Sequence, residues 1–392
     1  MKIFIAASWL KLGGGVTRTL LELFRHIDYS RYDVTLMLME LDRDILQYVP
    51  KEVRVIESGD RFQTESAGTI IKSTLKSGKV FTAASYALNS AEFRLSGDNY
   101  RHQSWITKHM KKQDEEYDIA ISYAMMNSIV NKYVIDNVKA KKKILWCHID
   151  LDIYKPQYIK GLEKLYEQYD RINCVSQSSL ESIKRRFPGL SDKLHIAYNF
   201  IDSEKILSES AAQPDIDVPD GKIKLCTVGR ITDQKGIDLL VEAADMLNRN
   251  GLDFVWWVVG TRYNDELNHR IEESIRDCGL EEKVLLLGEK NPPYPFMRAC
   301  DIYVQPSRFE GYCTTTNEAR ILSKPVITTR VSGAEEQFTD GVDGIITDIS
   351  AEAVYNAVSE LIASPEKRTA LSENLKNNLK LSQENSFESM IS

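Results

Sequence analysis

Glu310 and Glu318 stand eight positions apart in the stretch Asp301-Ile-Tyr-Val-Gln305-Pro-Ser-Arg-Phe-Glu310-Gly311-Tyr312-Cys-Thr314-Thr315-Thr316-Asn-Glu318. The apolar run ending at Gln305 reads as a strand, Glu310-Gly311 as a loop, and the three threonines as the start of a helix running through Glu318. At about 1.5 Å of rise per residue, the two carboxylates would lie roughly 12 Å apart along that axis. That is the span of a nucleotide sugar from its hexose to its ribose. The helix start between them offers unpaired N–H groups and the positive end of a dipole to a linking diphosphate.

A second charged set lies upstream in Thr227-Val-Gly229-Arg230-Ile-Thr-Asp-Gln-Lys235-Gly236, directly after a strand signal and opening a helix. Arg230 and Lys235 on such a loop can converge on a dianionic leaving group, where charge develops as a glycosyl bond to phosphate breaks. Near the N-terminus, Gly13, Gly14 and Gly15 follow the first strand and leave a backbone that a ligand can approach closely. The dinucleotide fingerprint G-x-G-x-x-G is absent. His148 closes the apolar run Leu145-Trp-Cys147-His148, and ligands bind at the carboxyl ends of parallel strands. A histidine in that place serves equally well as a structural residue.

Metal chemistry finds little support. Of the Asp-x-Asp pairs Asp42/Asp44, Asp150/Asp152 and Asp215/Asp217, only Asp150/Asp152 follows a strand as a magnesium or manganese site would require. The other five histidines show no ligand spacing. The six cysteines include no C-x-x-C pair, which argues against zinc or a disulfide framework and for a reducing cytoplasm. With cations and a helix start already facing the diphosphate, no metal and no other cofactor is expected.

The elements that must position these groups form two series. Short apolar runs alternate with amphipathic stretches at Lys2 to Ala6, Asp33 to Met39, Ile119 to Tyr123, Lys143 to Trp146 and Arg171 to Val175, the pattern of βαβ units. A second series starts near Gly221 with strands at Ile223 to Val228, Phe254 to Val259, Val284 to Leu287 and Asp301 to Gln305. At 392 residues, two domains are expected: 1–203, a polar linker 204–220, and 221–376. A charged C-terminal helix, 377–392, is free to cross back over the first domain. The N-terminus lacks the blocks of a signal peptide, and no apolar stretch is long enough to span a bilayer.

A net charge of −7 gives the chain as a whole no footprint for nucleic acid. Against that background, Arg61 to Lys112 carries nine cations and three anions, with Phe81, Tyr86, Phe93, Tyr100 and Trp105 interspersed. Such a basic, aromatic helical segment suits an anionic membrane face. It suits a solvated surface as well.

The spacing of Glu310 and Glu318 after a strand, a proline and Glu-Gly resembles the signature of the family 4 type of retaining glycosyltransferases. Gly229-Arg230 with Lys235-Gly236 is similar to that family's diphosphate-binding motif. Weaker similarities are Tyr198-Asn199-Phe200-Ile201-Asp202, where Phe200 departs from the family's glycine, Leu287-Gly288-Glu289-Lys290, and Lys324-Pro325-Val326-Ile327. The resemblance implies the GT-B fold, α/β with two Rossmann-like doubly wound domains facing across a cleft. It implies transfer of a hexose from a nucleoside-diphosphate sugar, UDP by family frequency, to a hydroxyl acceptor with retention. The acceptor it suggests is an envelope or capsular glycan or a lipid-linked precursor.

Among the residues, the resemblance gives Glu310 the donor sugar, Glu318 the ribose, Arg230 and Lys235 the diphosphate, and His148 the sugar from the first domain. Gly14, Gly15, Gly229, Lys290, Gly311, Tyr312, Thr314, Thr315 and Thr316 complete the donor-binding set. Location in the cytoplasm, on or near the inner face of the cell membrane, would follow. A nucleotide-sugar epimerase of the same fold, a non-catalytic subunit and an NAD enzyme are the competing readings.

Overall fold

The computed structural model describes residues 1–10, 14–59, 65–216, 221–262, 264–378 and 386–392. Contacts divide the chain into Met1–Phe200 with Asn385–Ser392, and Ile201–Glu384. Strands of the first unit are β1 (Lys2–Ala7), β2 (Asp33–Leu38), β3 (Arg54–Glu57), β4 (Glu116–Tyr123), β5 (Lys139–Cys147), β6 (Arg171–Cys174) and β7 (Leu194–Ile196). They form one parallel sheet in the order β3-β2-β1-β4-β5-β6-β7. A parallel sheet covered on both faces needs nearly continuous apolar strands, and β1 is buried from Ile3 to Ala7.

The second unit contains β8 (Ile223–Val228), β9 (Phe254–Val259), β10 (Val284–Gly288), β11 (Ile302–Gln305), β12 (Val326–Thr329) and β13 (Ile345–Thr347). Their order is β10-β9-β8-β11-β12-β13, again all parallel. Strand β9, Phe-Val-Trp-Trp-Val-Val, feeds both faces: Trp256 joins Leu225 and Val304 in one core, and Trp257 joins Cys226 and Tyr303 in the other. The Trp256 indole donates to Thr227 Oγ1 at 3.0 Å, and that hydroxyl donates to the Val304 carbonyl at 2.6 Å, tying β9, β8 and β11 together. In each sheet the strand order reverses once, between β1 and β4 and between β8 and β11, where open α/β sheets leave a crevice at the carboxyl ends.

Both Rossmann-like domains expected from the alternating runs are present. Four strands escaped the pattern, β3, β7, β12 and β13, each only three or four residues long. Three of them are sheet edges, where few apolar residues suffice.

Two expected boundaries differ. The stretch 204–220 begins not as linker but inside the helix Ser203–Glu209, whose Asp202 cap accepts from Lys205 N at 2.8 Å. Ile206 of that helix joins the core of the second unit, and a single buried apolar side chain is too faint a pattern to read. The end of the chain is not one helix over 377–392. Helix Pro365–Asn378 is followed, after residues outside the described set, by the five-residue helix Phe387–Ile391. Its last carbonyls, orphaned as at any helix end, accept from first-unit side chains: Met390 O from Asn173 at 2.9 Å, Ser392 O from Arg171 at 2.9 Å and Ile391 O from Lys142 at 3.1 Å.

The basic segment folds as three helices, Ala67–Lys76, Val80–Ser96 and Asn99–His109, between β3 and β4; Arg61 lies outside the described residues. Four of its five aromatic residues turn inward, against the expected aromatic surface. Tyr86 packs 5.1 Å from Trp105, Phe93 stacks on His102 at 4.6 Å, and Tyr100 lies under the Lys132 ammonium at 4.8 Å. Phe81 alone of the five stands out in solvent, 93% exposed. No helix among the described residues is long and apolar enough to cross a membrane.

Candidate active site

The charged residues of the second unit sit on loops leaving β8 and β11, neighbouring strands at the point where the order reverses. After β8 the chain passes Gly229 and Arg230, makes a short turn over Asp233–Lys235, and enters the helix Ile237–Arg249 through Gly236. Gly236 has φ of +63°, and a Cβ there would come within 2.1 Å of the Pro306 carbonyl on the β11 loop. The same two loops are joined by Arg308 N donating to Gln234 O at 2.7 Å, and by the Arg308 guanidinium on the Asp238 carboxylate. Gly236→Ala therefore combines left-handed strain with a backbone clash and is expected to cost about 2–5 kcal/mol. Urea unfolding measures this, and an unchanged midpoint would show that the loops are not so closely packed.

Glu310 is 6% exposed. Its Oε1 accepts from Lys235 Nζ at 2.7 Å and from Ser307 Oγ at 2.7 Å, while Oε2 accepts from Gln234 Nε2 at 3.3 Å. A carboxylate has about four acceptor positions, so Oε2 keeps capacity for a ligand hydroxyl. Burial works against the charge on Lys235 and Arg230 adds to that opposition, but the Glu310 carboxylate outweighs them and raises the lysine pKa. Lys235 is thus held charged, and its ammonium keeps two further N–H donors.

Behind the pair runs a buried polar chain that the sequence did not reveal. Gln305, the last residue of β11, donates to Ser307 Oγ at 3.1 Å and accepts from the Tyr303 hydroxyl at 2.8 Å and from Thr315 Oγ1 at 3.1 Å. It orients Ser307, which in turn holds Glu310. A fully buried glutamine ending an apolar strand is the one signal that could have pointed to it.

The helix after this loop starts at Thr314, as expected, and runs to Ile321. The helical rise therefore governs only the part from Thr314 to Glu318, the stretch from Glu310 to Cys313 being loop. Its cap residue, Cys313, makes no side-chain cap bond, and the first turn holds no acid. Thr315 is committed to Gln305, and Thr316 to the Cys313 carbonyl at 2.8 Å and Gln337 at 2.7 Å. What Thr315 and Thr316 offer an anion is therefore backbone N–H rather than hydroxyls. Glu318, in the same helix, is 6% exposed.

Gly311 and Tyr312 are buried beneath this helix start, and Tyr312 packs on the turn at Gly333, where a Cβ would meet its ring at 3.0 Å. A Cβ at Gly229 would press on the Lys235 side chain at 3.2 Å. The fold thus collects Gly229, Arg230, Lys235, Glu310, Gly311, Tyr312 and the Thr314 to Glu318 helix at the ends of two adjacent strands. Lys290 is placed apart from them, after β10 at the sheet edge, in an ion pair with Asp215 at 2.6 Å.

In the first unit, His148 follows β5 and meets the Tyr123 ring edge-on at 4.3 Å. Burial pushes its pKa down to about 3, so the imidazole is neutral at physiological pH. Its Nε2 is buried without a hydrogen-bond partner among the described residues. Gly14 caps the helix Gly15–Arg25 with no side-chain bond, and a Cβ at Gly15 would meet no atom within 4 Å. Gly13 lies outside the described residues. The Asp150/Asp152 pair is occupied: Asp150 caps a turn through Asp152 N at 2.8 Å, and Asp152 is ion-paired with Arg185 and Arg186. Asp217 falls outside the described residues, and among those described no group of three or more His, Cys, Asp or Glu is placed to hold a metal ion.

Two Rossmann-like domains of parallel sheet, with the charged cluster at the switch point of the second, define the GT-B class. Residues 209–378 match the family described as Glycosyl transferases group 1. The chain is 31% identical over 208 residues to an N-acetylgalactosaminyltransferase of Campylobacter jejuni acting on a diphospho-undecaprenol-linked sugar, covering 53% of this chain and 54% of that one. It spans about half the length of the curated relatives it matches. Among solved structures, Anabaena HepE in complex with UDP-glucose superposes with a TM-score of 0.68 at 16% identity, over 96% of this chain and 94% of the other. Sucrose-phosphate synthase of Thermosynechococcus elongatus gives 0.71 at 16% identity, over 100% and 96%. The resemblance seen in the Glu310 and Lys235 motifs is borne out at the level of group 1 glycosyltransferases and the GT-B fold.

Proposed function

We propose that the protein is a retaining glycosyltransferase of the family 4 type. It moves a hexose from a nucleoside-diphosphate sugar, most simply a UDP-sugar, to a hydroxyl of an envelope glycan or lipid-linked precursor. The observation that carries this reading is the buried Lys235–Glu310 ion pair at the β8/β11 switch point, 2.7 Å long, beside the uncapped helix start at Thr314. Glu310 orients the sugar through its free acceptor capacity and Glu318 takes the ribose. Lys235, Arg230 and the helix N–H groups stabilise the diphosphate as the bond from C1 to its oxygen breaks.

The acceptor oxygen then bonds to C1 on the face the diphosphate leaves, and its proton passes to the departing phosphate oxygen. No protein nucleophile and no metal is needed in this scheme. On the same reading the first unit holds the acceptor, with His148 a neutral imidazole at the end of β5. The diphospho-undecaprenol acceptor in the name of the Campylobacter relative favours a lipid-linked acceptor and a peripheral place at a membrane for this chain too.

Thermal melts with UDP, GDP, ADP and NAD, each with and without EDTA, test the donor side. A ligand at a hundred times its Kd adds about 2.7 kcal/mol to the native state, a shift of several degrees. A rise with one nucleoside diphosphate that EDTA leaves unchanged is expected. A response to NAD alone, or to none of the four, would overturn the reading.

A further inference from the structure

Helix Val80–Ser96 is apolar on two opposite sides. Ala83, Tyr86 and Ser90 face inward and are buried. On the other side Phe81, Ala84, Leu88, Ala91 and Leu95 recur at heptad spacing, so that all five share one stripe. That stripe is in solvent: Phe81 is 93% exposed, Leu88 72% and Leu95 91%. Scattered single apolar residues on a surface are ordinary, but a continuous stripe is the mark of an interaction face.

The charge around the stripe selects its occupant. Lys72 and Lys76 on the preceding helix, Lys79 at the cap and Arg94 are all exposed and make no ion pair among the described residues, while the one acid of the helix, Glu92, is neutralised by Arg101 at 3.0 Å. A second copy of the chain would set these cations against their own kind. In antiparallel pairing Lys79 approaches the Arg94 end, and in parallel pairing each cation meets itself. An anionic bilayer surface meets both features, with apolar side chains at the acyl boundary and lysines at the headgroups.

We propose that helix Val80–Ser96 lies in the plane of an anionic membrane with Phe81, Leu88 and Leu95 inserted. The proposal deepens the function given above, on which it rests for its purpose. It replaces the diffuse basic segment by a single inserting helix and fixes what that helix brings to the surface. Lys160 Nζ donates to Ser96 O at 2.7 Å, Asn127 Nδ2 to Tyr158 O at 2.8 Å, and Gln103 Nε2 to Asn127 O at 2.8 Å. These bonds join the helical segment to the loops leaving β4 and β5, where Met125 and Tyr158 are also exposed. The docked helix thus presents the carboxyl edge of the first sheet, the acceptor side, to the headgroup layer, where the hydroxyl of a lipid-linked acceptor would be found.

The test is co-sedimentation of the full chain with phosphatidylglycerol–phosphatidylcholine vesicles and with phosphatidylcholine alone, no donor or acceptor being present. Binding to the anionic vesicles only is expected. It should fall about a hundredfold or more in the variant Phe81→Ser/Leu88→Ser/Leu95→Ser, since each side chain otherwise leaves water for the acyl boundary. The single exchange Leu88→Glu should weaken it in the same direction.

Both variants should keep the wild-type melting temperature and its shift with nucleoside diphosphate, because the three side chains contact solvent. Undiminished vesicle binding by the triple variant would overturn the proposal. So would a concentration-dependent dimer in sedimentation velocity that the triple exchange abolishes, which would assign the stripe to a second copy. Neither result bears on donor binding, so failure here is distinguishable from failure of the transferase reading.

Discussion

Glu310→Gln is expected to lower kcat for transfer by about 10³-fold, roughly 4 kcal/mol of transition-state stabilisation, with the fold intact. Glutamine keeps the size of the side chain and an acceptor for Lys235 and Ser307, so the loop stays packed, but it leaves Lys235 without its counter-charge and lowers stability by up to the roughly 3–5 kcal/mol of a buried pair broken from one side. What it removes is the negative charge at a position 6% exposed, where neighbouring water screens little. Two consequences follow: a sugar hydroxyl loses a charged acceptor, and Lys235 loses the partner that holds it in place. The measurement is single-turnover transfer from whichever nucleotide sugar the melts select, with a melting curve alongside. A kcat within a few fold of wild type would remove Glu310 from the donor site.

Lys235→Ala is expected to act on both rate and stability, and the two can be separated. In rate, the loss of a cation facing the diphosphate should cost on the order of 10² or more. In stability, Glu310 would be left buried without its counter-charge, and breaking a buried pair from one side costs about 3–5 kcal/mol. The double variant Lys235→Met/Glu310→Gln removes both charges together. It should recover most of the stability while staying inactive, because replacing a buried pair by neutral groups of similar volume is close to neutral. Recovery of transfer in the double variant would mean that the pair serves the fold rather than the reaction. Failure to recover stability would mean that other members of the Gln305–Ser307–Glu310 chain depend on the lysine directly.

That chain shows why a linear reading reached the ends of the site but not its interior. Glu310, Glu318, Arg230 and Lys235 are charged residues on loops after apolar strands, and both their type and their spacing are visible in one dimension. Gln305, Ser307 and Gln234 are neutral and carry no mark of type or spacing: Gln305 and Ser307 act through contacts two and three residues along one loop, and Gln234 acts because β8 and β11 are neighbours in the sheet. Gln234 and Glu310, 76 positions apart along the chain, thereby fall within hydrogen-bond reach. The hydroxyls of Thr315 and Thr316 show the reverse error. The three threonines mark a helix start correctly, but the side chains of Thr315 and Thr316 are spent inside the fold, and those two residues leave only their backbone for a ligand.

The helical segment between β3 and β4 follows the same logic. Its cations are legible as composition, but which aromatic residues face water depends on how the three helices pack. Tyr86, Phe93 and Trp105 fill the space between them, whereas Phe81, Leu88 and Leu95 have nothing to pack against.

By itself the sequence determined the class of the protein: two series of apolar strands and amphipathic helices, and acids and bases at spacings that match a glycosyltransferase family. These are properties of local period and residue type, which secondary structure obeys directly. Tertiary structure alone decided the rest. Short edge strands bury too little to leave a pattern, and the helix Ser203–Glu209 joins the second core through one isoleucine. The last helix docks on the first unit because its orphaned carbonyls find Arg171, Asn173 and Lys142 there. Each depends on a partner distant in the chain, and hydrogen bonds and packing between such partners have no period for a sequence to show.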